Sequence, residues 1–365
     1  MAIAAPAVRA HARSVPRGLT PASFVLGGTL LSLTGLTWDI QWHTDVGPDT
    51  FFTLPHLFLY SGSAVSGLAS LIVVLMTTAA ERRGRAVDPI VGGRAVGVFG
   101  RTFAAPVGYL ISGSGAASFL LYGLWDQWWH GLYGFDAVIA SPPHIGLLLS
   151  ITVTMVGAVM VFATAREQRW GAVGAVVSAA ALLSFSMVTA IGLQVLPSGT
   201  VNAVNVGGAF MSVLIVVMGA RLLDRLGGAV GVALIVAVFQ GVYWVFSPWA
   251  ARVYAHAIGL PMRDYAEGVP VLPVLIPLCL IVVAAIMEVT RRLPVALVGG
   301  IAGLLIAGTL PLQNAWIYDR MVGSTSAIVI TAAVGAVFGA LAGFLGKRFG
   351  EMLRHLAPVK EGDRA

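Results

Sequence analysis

Apolar runs of about 20 residues recur along the whole chain, and in lipid every backbone N–H and C=O of such a run must be satisfied internally, which only a helix or a closed barrel achieves. Ten runs are long enough to cross ~30 Å of hydrocarbon: 22–43, 54–78, 103–129, 143–165, 171–195, 203–220, 228–248, 270–288, 294–312 and 325–345. The short alternating segments of a transmembrane barrel are absent, so the expected fold is all-α, a polytopic bundle of about 10 transmembrane helices. Composition agrees: 58% of residues are hydrophobic and 10% charged, against about 25% charged in soluble domains.

All basic residues except Lys347 and Lys360 are arginine, and they fall in short clusters between the apolar runs. Arg9, Arg13 and Arg17 precede the first run, and Arg82, Arg83, Arg85, Arg94 and Arg101 follow the second. Arg166 and Arg169, Arg221 and Arg225, Arg291 and Arg292, and Lys347, Arg348 and Arg354 then recur after every even run. Only Arg252, Arg263 and Arg320 lie on the other side, so the positive-inside rule places both termini in the cytoplasm. The net charge of +6 is therefore topological. No continuous basic face exists for a nucleic acid to follow. The first run lacks an A-x-A-like cleavage site and reads as a retained helix in a multi-pass plasma-membrane protein. The lone Cys279 excludes an intramolecular disulfide or a CxxC site.

One polar device interrupts this pattern, and it occurs twice. "WDIQWHTDVGPDTFFTLPH" (Trp38 to His56) returns at an offset of 87 residues as "WDQWWHGLYGFDAVIASPPH" (Trp125 to His144). Trp38, Asp39, Trp42, His43, Gly47 and Asp49 match Trp125, Asp126, Trp129, His130, Gly134 and Asp136; one extra residue then precedes Pro143-His144, the counterpart of Pro55-His56. Residues four apart share a helix face, so Asp39 with His43 and Asp126 with His130 each present an oxygen and an imidazole side by side. The prolines place His56 and His144 in the first turn of the returning helix, level with the first pair. Each hairpin thus builds an Asp-His-His cluster near the outer membrane boundary.

A single Trp-His at a helix end is ordinary interfacial polarity within an aromatic belt. Here four of only seven histidines occupy these positions, and the pattern recurs with aspartate and proline intact. That favours metal binding by Asp39, His43, His56, Asp126, His130 and His144, an imidazole–carboxylate set suited to copper, zinc or iron. Three donors also leave a coordination position open. Asp49 and Asp136 read either as hydrogen-bonding partners of the ligands or as loop caps. His11 and His355 lie in the basic tails and His256 in the outer loop 248–269. The chain divides into a basic tail (1–21), a region carrying both motifs (22–170), a six-run region without them (171–345) and a C-terminal tail (346–365). The 78–103 linker reads as surface loop, and Gly335, Gly339 and Gly343 as a small-residue packing ladder.

The sequence D-x-x-W-H followed by D-T-x-F-T-x-x-H (Asp39, Trp42, His43, Asp49, Thr50, Phe52, Thr53, His56) resembles the metal-binding segment of the C subunit of particulate methane and ammonia monooxygenases. That family carries a second site with the spacing of Asp126, His130 and His144, and the resemblance covers roughly residues 20–170. It implies copper at both clusters, O2 and a small apolar substrate, hydrocarbon or ammonia-like, and as partners the other monooxygenase subunits or further copies of the chain. Two departures stand out. Asp126 replaces the family's asparagine, and residues 171–345 add six runs with no ligand set of their own. Copper handling by a transporter, chaperone or sensor, and a non-catalytic structural subunit, are the competing readings.

The charge pattern makes one prediction directly. A green fluorescent protein fused after Ala365 should fluoresce, and alkaline phosphatase fused there should be inactive; the opposite pair of signals would invert the topology.

Overall fold

The computed structural model describes residues 16–47, 49–134, 141–197, 199–319 and 323–356. The helices are α1 (Leu19–Asp45), α2 (Leu54–Arg82), α3 (Val107–Tyr133), α4 (Pro142–Ala163), α5 (Arg169–Gly192), α6 (Ala203–Leu223), α7 (Gly228–Ala257), α8 (Val271–Leu275), α9 (Leu280–Val289), α10 (Val295–Tyr318) and α11 (Thr325–Arg354). With α8 and α9 counted as one broken span, ten segments among the described residues are long and apolar enough to cross a membrane. A short hairpin, β1 (Ala95–Val98) and β2 (Phe103–Pro106), is the sheet structure among them.

Each motif-bearing hairpin closes through small residues. A Cβ on Gly28 of α1 would lie 2.5 Å from the Gly62 carbonyl of α2. One on Gly115 of α3 would lie 2.5 Å from the Thr154 amide nitrogen of α4. Gly28 and Gly115 are themselves 87 residues apart, so the repeat extends from the polar motif into the packing that holds it. Later in the chain, α10 and α11 meet along Gly299, Gly303, Gly335, Gly339 and Gly343, where backbones touch directly. The main apolar cluster runs from Ala22 to Leu353, so the helices beyond residue 170 pack onto the first four.

Several expected boundaries move, each for a physical reason. The third span starts at Val107 and not 103, because residues 103–106 pair with β1; Thr78 Oγ1 of α2 bonds both the amide and the carbonyl of Ala104 and fixes that strand. The seventh helix continues through Pro248 to Ala257, which turns the first part of the expected outer loop 248–269 into helix and places His256 in its last turn. Ala250, Ala251 and Ala255 on that extension pack against Trp38 and Trp42, which offsets the hydrogen bond the proline removes. The last helix extends to Arg354, so the segment from 346 is not all tail; Gly346 and Gly350 seat it against α6. His11 lies outside the described residues.

The eighth span breaks between Leu275 and Leu280. Two buried glutamines take up the freed backbone groups. Gln240 Nε2 donates to the Pro273 and Ile276 carbonyls at 2.9 Å each. Gln313 Nε2 donates to Val274 O (2.7 Å) and Ile276 O (3.1 Å), while its Oε1 accepts from the Leu278 amide at 2.8 Å. Irregular backbone at membrane depth is tolerated where protein satisfies it in this way.

The α10–α11 contact supplies a stability test. Gly339→Ala puts a methyl 2.4 Å from the Gly299 carbonyl, and overpacking of this kind costs about 1–3 kcal/mol. Gly241→Ala on α7, with nothing within 4 Å of its Cβ, should be neutral or stabilising by up to ~1 kcal/mol. Thermal unfolding in detergent separates the two.

Candidate metal centre

The first hairpin turns in eight residues, and the turn is built to aim its side chains. Gly47, with φ +104°, ends α1 by donating its N–H to Trp42 O at 3.0 Å. Thr53 Oγ1 donates to the Thr50 carbonyl (2.7 Å) and accepts from the Thr50 amide (2.7 Å), which sets the entry into α2 just ahead of Pro55. Gly134, the counterpart of Gly47, ends α3 at φ +84° with its N–H on His130 O, and Ser141 caps α4 by accepting from the His144 amide.

These turns bring together the residues that the spacing singled out. In the first group, His56 Nε2 lies 3.1 Å from Asp39 Oδ1 and 3.3 Å from Asp49 Oδ2. His43 Nε2 lies 3.1 Å from Asp49 Oδ2 and 3.9 Å from Asp39 Oδ1. In the second group, His130 Nε2 and His144 Nε2 each lie 3.4 Å from Asp126 Oδ1. In both groups the donor atoms all fall within 4.8 Å of one another. A tetrahedral ion with bonds of about 2.0–2.2 Å separates its ligand atoms by about 3.3–3.6 Å, so the observed spacings scatter around that edge length.

Tautomers decide what the groups can hold. His56 Nδ1 is 3.0 Å from the Thr50 carbonyl and His130 Nδ1 is 2.9 Å from the Gly134 carbonyl. A carbonyl only accepts, so both Nδ1 atoms carry the proton, and Nε2, the atom turned toward carboxylate oxygen, is the one left to take a second proton or a metal ion. An imidazole nitrogen and a carboxylate oxygen this close share a cation, either a proton on Nε2 or a metal ion. Asp39 Oδ1 and Asp126 Oδ1 are also buried, and the groups that face them are these imidazoles. The residues present therefore fit a divalent or monovalent transition-metal ion.

Both groups line one cavity of about 360 Å³. Its polar end carries Asp39, His43, Asp49, His56, Asp126, His130 and His144, and its remaining wall is largely apolar, including Leu36, Leu59, Phe119, Ile151, Val188 and Val271. Tyr60, one turn past His56, stacks on that ring with centroids 6.0 Å apart and lines the same space. Val188 of α5 and Val271 at the start of α8 show that the helices without a motif complete the chamber. Gln41 ties that start down: its Oε1 accepts from the Val271 amide and its Nε2 donates to Val269 O, one turn of α1 from the site.

Asp49 joins the first group. Its side chain is 6% exposed and its carboxylate faces both histidines. Asp136, its counterpart, lies outside the described residues. The tryptophans also depart from expectation. Trp38 and Trp42 are buried against α7, with Trp38 edge-on to Phe58, Phe246 and Tyr254, so they do not form a lipid-facing belt and do not line the cavity. Trp125 and Trp128 are exposed, as belt residues are. Sequence reasoning missed the Thr50 and Gly134 carbonyls; the Thr-x-x-Thr turn ahead of Pro55 and the glycine four residues after His130 were the available signals.

The chain matches no protein-family model, no curated protein and no solved structure.

Trp38 holds the first hairpin against α7 without touching the cavity. Trp38→Ala should cost about 3–5 kcal/mol, the usual range for a buried aromatic, seen as a lower thermal midpoint, while the folded fraction keeps its metal stoichiometry by elemental analysis.

Proposed function

We propose that this is a copper protein of the plasma membrane related to the C subunit of copper membrane monooxygenases, hydroxylating a small apolar substrate with O2. The observation that carries the reading is the pair of His/Asp groups on one cavity whose other walls are apolar. Asp39, His43 and His56 hold one ion and Asp126, His130 and His144 the other. Bound copper would supply O2 activation and the electrons' point of entry. The chain's own residues orient and exclude. Thr50 and Gly134 hold the imidazoles in the tautomer that presents Nε2. Leu36, Leu59, Phe119 and Ile151 give an uncharged substrate a water-poor space. At about 360 Å³ the cavity lies at the small end of ligand pockets, ~300–1,000 Å³, in keeping with a short hydrocarbon or ammonia-sized molecule.

The donors sit at the end of the bundle opposite the arginine clusters, so the positive-inside rule puts the centre near the outer face. The other subunits of such a complex, or further copies of this chain, would be its partners. Asp126 adds a negative charge where the related family has asparagine, which favours a cupric over a cuprous ion in that group.

Elemental analysis of the protein in nanodiscs tests the reading. Wild type should carry two copper ions, His43→Ala and His130→Ala one each, and the double variant none. O2 consumption with a reductant and short hydrocarbons or ammonia should fall to background in the double variant. Metal loss without any change in turnover would turn the assignment toward copper handling or a structural role; zinc or iron in place of copper would overturn the metal assignment.

A further inference from the structure

The first group contains more than the three donors of the Asp-His-His spacing. Asp39, His43 and His56 already supply three donors, and the Asp49 carboxylate stands among them with Oδ2 3.1 Å from His43 Nε2 and 3.3 Å from His56 Nε2. We propose that Asp49 is a fourth ligand, making the first group a closed two-carboxylate, two-imidazole site that retains a divalent cation and discriminates against a cuprous one. This deepens the metal-site reading above and rests on it.

Geometry comes first. The four imidazole–carboxylate separations are 3.1, 3.1, 3.3 and 3.9 Å, scattered around the ~3.3–3.6 Å edges of a tetrahedron with 2.0–2.2 Å bonds. Asp49 reaches this position from the turn, not from a helix, and its side chain is 6% exposed. Among the described residues its carboxylate is paired with His43 and His56 and with no arginine or lysine: Arg263, the nearby arginine of the 258–270 loop, places its backbone N–H on Asp45 O and its guanidinium on Thr44 O and the Tyr265 hydroxyl. A buried carboxylate aimed at two imidazoles needs a cation beside it, and one metal ion between the rings serves both at once.

Charge then selects the ion. Two carboxylates and two neutral imidazoles balance a divalent cation to zero, whereas a monovalent one leaves a net negative charge in a largely buried site. Donor hardness acts in the same direction, because carboxylate oxygens suit divalent ions and do little for Cu(I). Four protein donors also close the coordination sphere, as in sites that hold their ion, while three leave a position for exchange or for a ligand.

The test uses full-length protein in nanodiscs with His130→Ala, which disables the second group. Cu(II), Zn(II) and Cu(I) are titrated against competing chelators, with Asp49 intact, as Asp49→Asn and as Asp49→Glu. Asp49→Asn should weaken Cu(II) and Zn(II) by about tenfold or more, taking the 10–100-fold cost of losing even an outer partner as the lower guide. Cu(I) affinity should move far less, the Cu(II) hyperfine splitting should change, and Asp49→Glu should restore most of the divalent affinity. Unchanged divalent affinity with an unchanged spectrum overturns the proposal. An equal loss for all three ions overturns it too, since that marks a disturbed turn. A His130→Ala protein that binds none of the ions fails the underlying metal reading as well, and is distinguished by the wild-type elemental analysis.

Discussion

The centre depends on how closely two antiparallel helices can approach. Asp39 and His43 ride on α1 and His56 on α2, so their donor atoms meet only if those backbones nearly touch. Gly28 against Gly62, and Gly115 against Thr154, provide that contact, leaving no room for a Cβ. Between helices in lipid there is no hydrophobic drive, and close van der Waals contact through small residues does the work instead. Because the approach is set a few turns below the donors, the hairpin arrives at its turn already in register. The glycines at 47 and 134 then stop each helix one turn past its histidine, and a carbonyl in each turn fixes the ring.

Much of this was legible in the sequence. The ten spans follow from run length because a lipid-embedded backbone has few options. The donor residues follow from a spacing repeated at one offset. What was not legible depends on contacts between distant segments. Pro248 reads as a helix end, yet α7 continues because Ala250, Ala251 and Ala255 have Trp38 and Trp42 to pack against. The break in the eighth span is invisible in hydropathy because Gln240 and Gln313, which make it tolerable, sit on other helices. Trp38 and Trp42 look like belt residues by composition and are core residues by position. Asp49 was ambiguous for a related reason: a loop aspartate bonds its own turn or reaches outward, and only the completed turn decides.

The helices without a motif acquire a role in the same way. No periodicity marks Val188 or Val271 as part of a site, but each closes a wall of the chamber. The eighth span is short and interrupted where it does so, and Gln41 on α1 holds its first amide next to the donors. A region that reads as ordinary membrane bundle is therefore what separates the donors from solvent on one side.

The cavity's two unlike ends follow from the cost of charge in a membrane. Carboxylates and imidazoles sit at helix ends and in turns, where burying them is least expensive, and each is matched by a partner that a cation would complete. Deeper along the same helices the lining turns to Leu36, Leu59, Ile151 and Val188, residues that accept an apolar guest and offer nothing to an ion. That deeper lining would give an ion no donor and would meet an apolar molecule with no polar group. That asymmetry argues for a place where an ion and an apolar molecule meet, and against a path along which an ion crosses.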